Sequence, residues 1–203
     1  TIVRLKVLPG KAGATAAEKT VRLVRDTIKL EKQAAKSEIK TLRSTDGRET
    51  RIGVITIPAF YSDFDAARRG DPNYRSTTRD VRRLLDDLRG KIDGLVLDLR
   101  ENGGGSLQEA VDLTGLFIED GPVVQVRNAG GEVEIEKDSE PGQAYNGPLV
   151  VLVDHASASA SEIFAGAIQD YGRGLVIGDP TFGKGTVHTL VDMTLFKRTK
   201  DSQ

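Results

Sequence analysis

From residue 77 onward the chain alternates amphipathic helical stretches with short apolar strands, and this alternation constrains the fold more than any other feature. Val81, Leu84, Leu85 and Leu88 recur at helical spacing, with Thr77 or Thr78 placed to cap the helix and Gly90 near its end. An apolar strand follows over 92–99, then a glycine loop over 102–106 and a second helix over 107–117. Residues 149–153 read as a buried strand, 157–171 as a third helix and 174–178 as a further short strand. Repeats at this spacing predict an α/β core with substantial parallel sheet. Asn128-Ala129-Gly130-Gly131, flanked by apolar alternation over 122–126 and 132–136, predicts a β-hairpin.

The region before residue 77 is less regular. Residues 1–7 and 19–24 alternate around a Gly/Ala-rich turn, which predicts a hairpin too small to be stable alone. A mixed polar stretch over 31–50 contains the turn signal Asp46-Gly47, and residues 52–58 read as a buried strand stopped by Pro58. Residues 61–76, rich in charge, Gly and Pro, read as a surface loop or insertion.

With a formal charge of -1 over 203 residues, the chain has no global field to attract nucleic acid or an anionic membrane. It has no cysteine, so disulfides, thiolate metal sites and a cysteine nucleophile are excluded. No apolar run approaches the ~20 residues that span a bilayer. The chain starts at Thr1 without methionine and reads as a piece of a longer protein, so the lack of a targeting signal carries no weight.

Chemistry in open α/β sheets gathers where strands end and helices begin. Asp98-Leu99-Arg100-Glu101-Asn102-Gly103-Gly104-Gly105-Ser106 is one such junction. Three successive glycines are costly to order, and they suit a backbone that presents N–H groups to a negative charge; the alternative is a plain flexible turn. The second junction runs from Val153 to Glu162 and crowds Ser157, Ser159 and Ser161 among alanines at a helix entrance. Those serines fit either nucleophilic chemistry or simple N-capping by Ser157 or Ser159 with a glutamate downstream. In a third segment, Gly178 to Thr186, Lys184 sits among glycines beside Phe182. A lysine held away from water loses its preference for the charged form and can take a serine proton. The same segment matches most of a P-loop, but Gly185 stands where magnesium binding needs Ser or Thr, and the residues after it alternate like a strand. A Ser–His–Asp hydrolase using His155 or His188 with Asp154 or Asp170 is conceivable, although no Gly-x-Ser-x-Gly elbow is present. Two histidines without a third ligand at metal spacing give no metal site.

Taken together, Asp98 to Gly105, Ser157 to Ile163 and Thr181 to Val187 resemble, in order, the three signature blocks of the tail-specific (carboxyl-terminal processing) proteases. The resemblance implies a crotonase-like (Clp-protease-like) α/β core with β hairpins. It implies a serine endopeptidase whose serine precedes its general-base lysine by 25 residues; counting back from Lys184 selects Ser159. By the same resemblance, Gly105 and Ala160 supply the oxyanion hole and Asp170 is a supporting, structural residue. His188 stands where the family typically carries a lysine-orienting glutamine, and a protonated histidine there predicts a steeper loss of activity toward acid pH. Residues 1–28 resemble the last strands of a truncated PDZ domain, 29–51 a connecting segment, and 52–203 a peptidase core incomplete at its C-terminus. The family implies no cofactor or metal, protein substrates with unstructured C-terminal tails, a periplasmic location and an adaptor lipoprotein as possible partner. Three rivals stand beside it: a non-proteolytic crotonase-like acyl-CoA enzyme, a P-loop NTPase, and a pseudoprotease that binds protein tails without cutting them.

Overall fold

The computed structural model describes residues 2–8, 18–24, 34–138 and 142–187. The chain divides into two compact units, residues 1–32 and 33–203. The first contains the expected antiparallel hairpin: β1 (Ile2–Val7) pairs with β2 (Lys19–Val24), Ile2 facing Val24 and Val7 facing Lys19.

In the second unit the order is β3 (Lys36–Arg43), β4 (Glu49–Thr56), α1 (Phe64–Arg68), α2 (Thr77–Leu88), β5 (Gly94–Asp98), α3 (Leu107–Gly115), β6 (Gly121–Arg127), β7 (Val133–Asp138), β8 (Leu149–Val153), α4 (Ala160–Asp170) and β9 (Leu175–Gly178). One five-stranded sheet runs β3-β4-β5-β8-β9, with β3 antiparallel and the remaining pairs parallel. The α/β core with parallel sheet is as the strand–helix alternation predicts. β6 and β7 form the separate hairpin expected around Asn128–Gly131, with Gly131 at φ 87°.

Three local readings differ from the structure. The polar stretch before residue 50 contains β3, an exposed edge strand whose eight side chains all face solvent, so it carries no hydrophobic period to detect. Ser76, rather than Thr77 or Thr78, caps α2, its hydroxyl accepting from Arg79 N–H; Thr77 is buried and turned toward residues 59–61. The 61–76 segment is not simply a surface loop. Tyr61 and Ser76 are buried, and Tyr61 accepts a hydrogen bond from Ala35 N–H while donating to Asp80 at 2.5 Å. Charge along the segment masks those two anchors.

Alternation along the strands decides which face is covered. Gly53, Leu95 and Leu149 lie in register on the inner face, as do Ile55, Leu97 and Val151. There they join Val81 and Leu85 of α2, Leu113 of α3, and Phe164 and Ile168 of α4 in one core. Phe117 packs edge-on against Phe164 with ring centroids 5.7 Å apart. At Gly53 the helix side packs close to the strand, since a Cβ there would meet the Ile92 side chain at 2.9 Å and the Leu88 side chain at 3.2 Å. Since β4, β5, β8 and β9 run parallel, their C-terminal ends meet at one edge of the sheet. The segments leaving that edge are 57–63, 99–106, 154–159 and 179–187, which include all three chemistry-bearing stretches of the sequence.

Candidate active site

β8 ends at Val153 and the chain turns sharply before α4. Asp154 makes that turn: its carboxylate accepts from the N–H groups of Ala156 and Ser157, each at 3.0 Å, and from Glu101 N–H at 3.1 Å. The Glu101 N–H, despite some burial, leads the effects that hold the Asp154 carboxyl below its ordinary range. Asp154 is thus a clamp between the serine turn and the glycine loop, not the orienting acid of a Ser–His–Asp triad. His155 is exposed and hydrogen-bonded to no described residue, and His188 lies outside the described residues.

The three serines of this stretch have different environments. Ser157 is fully buried, its hydroxyl donating to Leu99 C=O at 2.8 Å and accepting from Asp154 N–H at 2.9 Å. Ser161 is also fully buried and donates to Asn102 C=O at 2.9 Å. Ser159 is half-buried, and its hydroxyl is tied to neither the glycine loop nor the strand ends. It occupies the N-cap of α4 at φ 58°, ψ -114°, a region non-glycine residues visit at a cost of ~1–3 kcal/mol and one that clusters at active sites. A strained serine at a strand-to-helix turn is the placement a nucleophile elbow provides; Ser157 and Ser161 hold the positions its glycines take, and Ala158 and Ala160 flank the serine directly. The capping interpretation of the sequence is realised in the same residue, since Ser159 N–H donates to Glu162 at 2.7 Å.

Close approach of the glycine loop explains the small flanking residues. At Gly104 (φ 97°) a Cβ would lie 2.7 Å from Ala158 C=O and 2.8 Å from Ser159 Cβ. Gly105 (φ 148°) bridges Phe60 in parallel fashion, and a Cβ there would sit inside the Phe60 carbonyl. Around that bridge Phe60 N–H donates to Gly104 C=O at 3.0 Å and Ser106 N–H donates to Phe60 C=O at 2.9 Å. Gly104 N–H donates to the Asn102 side chain at 2.9 Å. Gly105 N–H, between them, meets no acceptor among the described residues. Ala160 N–H belongs to the open first turn of α4.

Lys184 reaches this region through its backbone. Phe182 N–H donates to Ser157 C=O at 3.0 Å, and Glu162 accepts from Gly183 N–H at 2.6 Å and from Lys184 N–H at 2.9 Å. The Ser159 and Lys184 amides share one oxygen, Glu162 Oε2, so their nitrogens lie no farther apart than those two bonds laid end to end. Burial alone would raise the Glu162 carboxyl, but the N–H groups of Gly183, Ser159 and Lys184, with the Thr181 hydroxyl, outweigh it and hold the group below the usual glutamate range. The Lys184 side chain is exposed. No helix follows Lys184 through residue 187, which removes the P-loop interpretation.

Asp170 is not part of this cluster. It is the exposed last residue of α4, about 16 Å of helix rise from Ser159. It lines a groove of roughly 440 Å³ between α4 and β6, where the neighbouring Tyr171 hydroxyl donates to Pro122 C=O at 2.9 Å. Among the described residues no group of three or more His, Asp or Glu side chains is arranged to hold a metal ion.

Sequence reasoning missed the connectors Asn102, Asp154 and Glu162. Asn102 and Asp154 had one available signal, since each is an Asx residue just past a strand end, where its side chain can take N–H groups two or three residues on. Their cross-loop partners leave no local trace.

Comparison with known proteins shows the family. Residues 51–200 match Peptidase family S41. The chain is 47% identical over 188 residues to a tail-specific protease of Haemophilus influenzae, covering 92% of this chain and 24% of the relative. It is 33% identical to the chloroplastic carboxyl-terminal-processing peptidase 2 of Arabidopsis thaliana, over 78% of this chain and 29% of that one. Among solved structures it superposes on a photosystem II D1 C-terminal processing protease with TM-score 0.62 and 27% identity, covering 90% of this chain and 45% of that chain. The chain therefore spans about a quarter of the two curated relatives and less than half of the solved structure. None of them is named as an acyl-CoA enzyme or a non-catalytic scaffold. With the three sequence blocks gathered at one edge of its parallel sheet and a match across most of its length, the chain belongs to peptidase family S41.

Proposed function

We propose that this chain carries the catalytic centre of a serine endopeptidase acting on proteins recognised through unstructured C-terminal tails. One observation carries the reading: Ser157 and Ser161 have buried hydroxyls locked into the scaffold, whereas Ser159 stands at a strained N-cap and shares the Glu162 carboxylate with Lys184. In the reaction the Lys184 amine removes the Ser159 proton as the hydroxyl oxygen attacks the scissile carbonyl carbon. The N–H groups of Gly105 and Ala160 receive the developing oxyanion. The lysine returns its proton to the leaving amine, and water then releases the acyl-enzyme. Bound substrate covers the exposed Lys184 and displaces water from the amine.

The wider setting follows the resemblance read from the sequence. The hairpin of residues 1–28 serves as the end of a PDZ module that captures a carboxyl terminus, the enzyme works in the periplasm, and a lipoprotein adaptor is a fitting partner. His188 orients the lysine, and Asp170 supports the fold.

The test is cleavage of a protein with an unfolded C-terminal tail, together with mass-spectrometric mapping of a fluorophosphonate probe. Ser159→Ala and Lys184→Ala should each abolish cleavage, and the probe should label Ser159. Tail binding by an unlabelled, inactive wild-type chain would mark it instead as a non-catalytic scaffold.

A further inference from the structure

Asn102 has no role in the reaction as written, yet its bonds reach three of the four segments leaving the sheet edge. Its side chain is completely buried. Its amide nitrogen donates to Ile57 C=O at 2.7 Å, just past β4, and its amide oxygen accepts from Gly104 N–H at 2.9 Å. Its main-chain carbonyl accepts from Ala158 N–H at 3.0 Å and from the Ser161 hydroxyl at 2.9 Å. A buried amide is tolerated only when paired, and these partners permit a single orientation. Flipped, the NH2 group would face the Gly104 N–H and the oxygen would face the Ile57 carbonyl.

That orientation determines which glycine amide is presented to substrate. Asn102 turns the Gly104 N–H into the protein, and Phe60 binds the loop on either side of Gly105 through Gly104 C=O and Ser106 N–H. Gly105 N–H is left directed away from both partners, while the Asn102 carbonyl fixes the turn that carries Ser159 and Ala160. We infer that Asn102 is a positioning residue for the oxyanion hole, setting the direction of the Gly105 N–H relative to the α4 N-terminus. The inference rests on the protease reading of this site and deepens it.

The experiment compares wild type, Asn102→Asp and Asn102→Leu in the full chain. Asp keeps the acceptor for Gly104 N–H but sets an unprotonated oxygen against the Ile57 carbonyl; Leu removes both bonds at similar volume. With active sites counted by fluorophosphonate titration, kcat per active site should fall ~100–1000-fold, the range for loss of one oxyanion donor, with KM nearly unchanged. Affinity for a substrate-derived peptide aldehyde, which forms a tetrahedral adduct, should fall in step with kcat, while affinity for the matching peptide alcohol holds. A scaffold-only role predicts fewer titratable sites with normal kcat in each, and that outcome overturns the inference. So does equal weakening of aldehyde and alcohol. Should both variants fail to fold, amide NMR of the wild-type chain decides: aldehyde binding should shift the Gly105 amide proton and leave the Gly104 amide exchange-protected and unmoved. A shift at Gly104 instead overturns the assignment. Ser159→Ala runs beside these. If it still cleaves, the assignment of Ser159 as nucleophile fails; if it is dead while the Asn102 variants match wild type, only the positioning role fails.

Discussion

Replacing Glu162 with glutamine tests the clamp that joins the nucleophile turn to the lysine segment. The carboxylate accepts from Gly183 N–H at 2.6 Å, Ser159 N–H at 2.7 Å and Lys184 N–H at 2.9 Å. Glutamine offers one acceptor oxygen and an NH2 group. Its best placement keeps the oxygen on the Ser159 and Lys184 amides and turns the NH2 toward the Gly183 N–H. One charge-assisted bond is lost, and two others become neutral. A hydrogen bond to a charged group contributes ~1.5–3 kcal/mol, and partial exposure of the glutamate favours the low end, so about 1.5–2 kcal/mol is expected for the variant. For a unit of this size that lowers Tm by roughly 3–8 °C. Drift of the Lys184 segment by an ångström would cut kcat/KM by up to ~100-fold. The pH dependence has a definite sign. Because the folded carboxyl lies below its ordinary value, the stabilisation is fully present above the unfolded value near ~4.3 and is lost as pH falls through the folded one. Thermal unfolding of wild type and Glu162→Gln should therefore diverge at pH 7 and converge in acid. Equal Tm values at pH 7, or a gap unchanged at pH 3, would refute the clamp.

Three further outcomes are expected. Ser157→Ala should lose about 1–3 kcal/mol in urea unfolding, since it leaves the Asp154 N–H without its buried partner and the Leu99 carbonyl with only the Asn102 N–H at 3.1 Å, yet the folded fraction should still label at Ser159. Gly104→Ala should abolish cleavage, because its methyl would meet the Ser159 Cβ at 2.8 Å on a backbone at φ 97°; wild-type turnover would mean the loop does not approach the nucleophile. Burial, followed by the bond to Asp80, raises the Tyr61 phenol above its ordinary range, so ultraviolet titration should find one tyrosine that ionises only on unfolding. Its contribution to stability should be present below ~10, the unfolded value, and lost above it; Tyr61→Phe should remove that late-titrating signal.

The parts of this molecule legible in the sequence are those with a local cause. Val81, Leu84, Leu85 and Leu88 give α2 its buried face, and Leu149–Val153 can only be a strand with an apolar inner side, so both stand out without a structure. The glycine loop is also legible, because Gly104 and Gly105 adopt backbone angles that side chains rarely tolerate. β3 is not legible, as an edge strand with every residue exposed has no period to read. Nor are the contacts that select one serine of three, since Ser157, Ser159 and Ser161 are chemically alike in the sequence. Partners as remote as Leu99 and Asn102 separate them. The spacing to Lys184 singles out Ser159 by resemblance alone; the burial of Ser157 and Ser161 is a property of the fold that the sequence does not display.

The hydrogen bonds also explain why three stretches so far apart in the chain act as one unit. The glycine loop and the serine turn are joined through Glu101 to Asp154, Asn102 to Ala158 and Ser161, and Leu99 to Ser157. The serine turn and the lysine segment are joined through Ser157 to Phe182 and Glu162 to Gly183 and Lys184. Among the described residues no hydrogen bond links the glycine loop directly to the lysine segment. The serine turn is therefore the middle member, with the glycine loop fastened to one flank and the lysine segment to the other. Asn102 makes two bonds of the first fastening and Glu162 two of the second, so among the described residues a defect in one reaches the other through the serine turn.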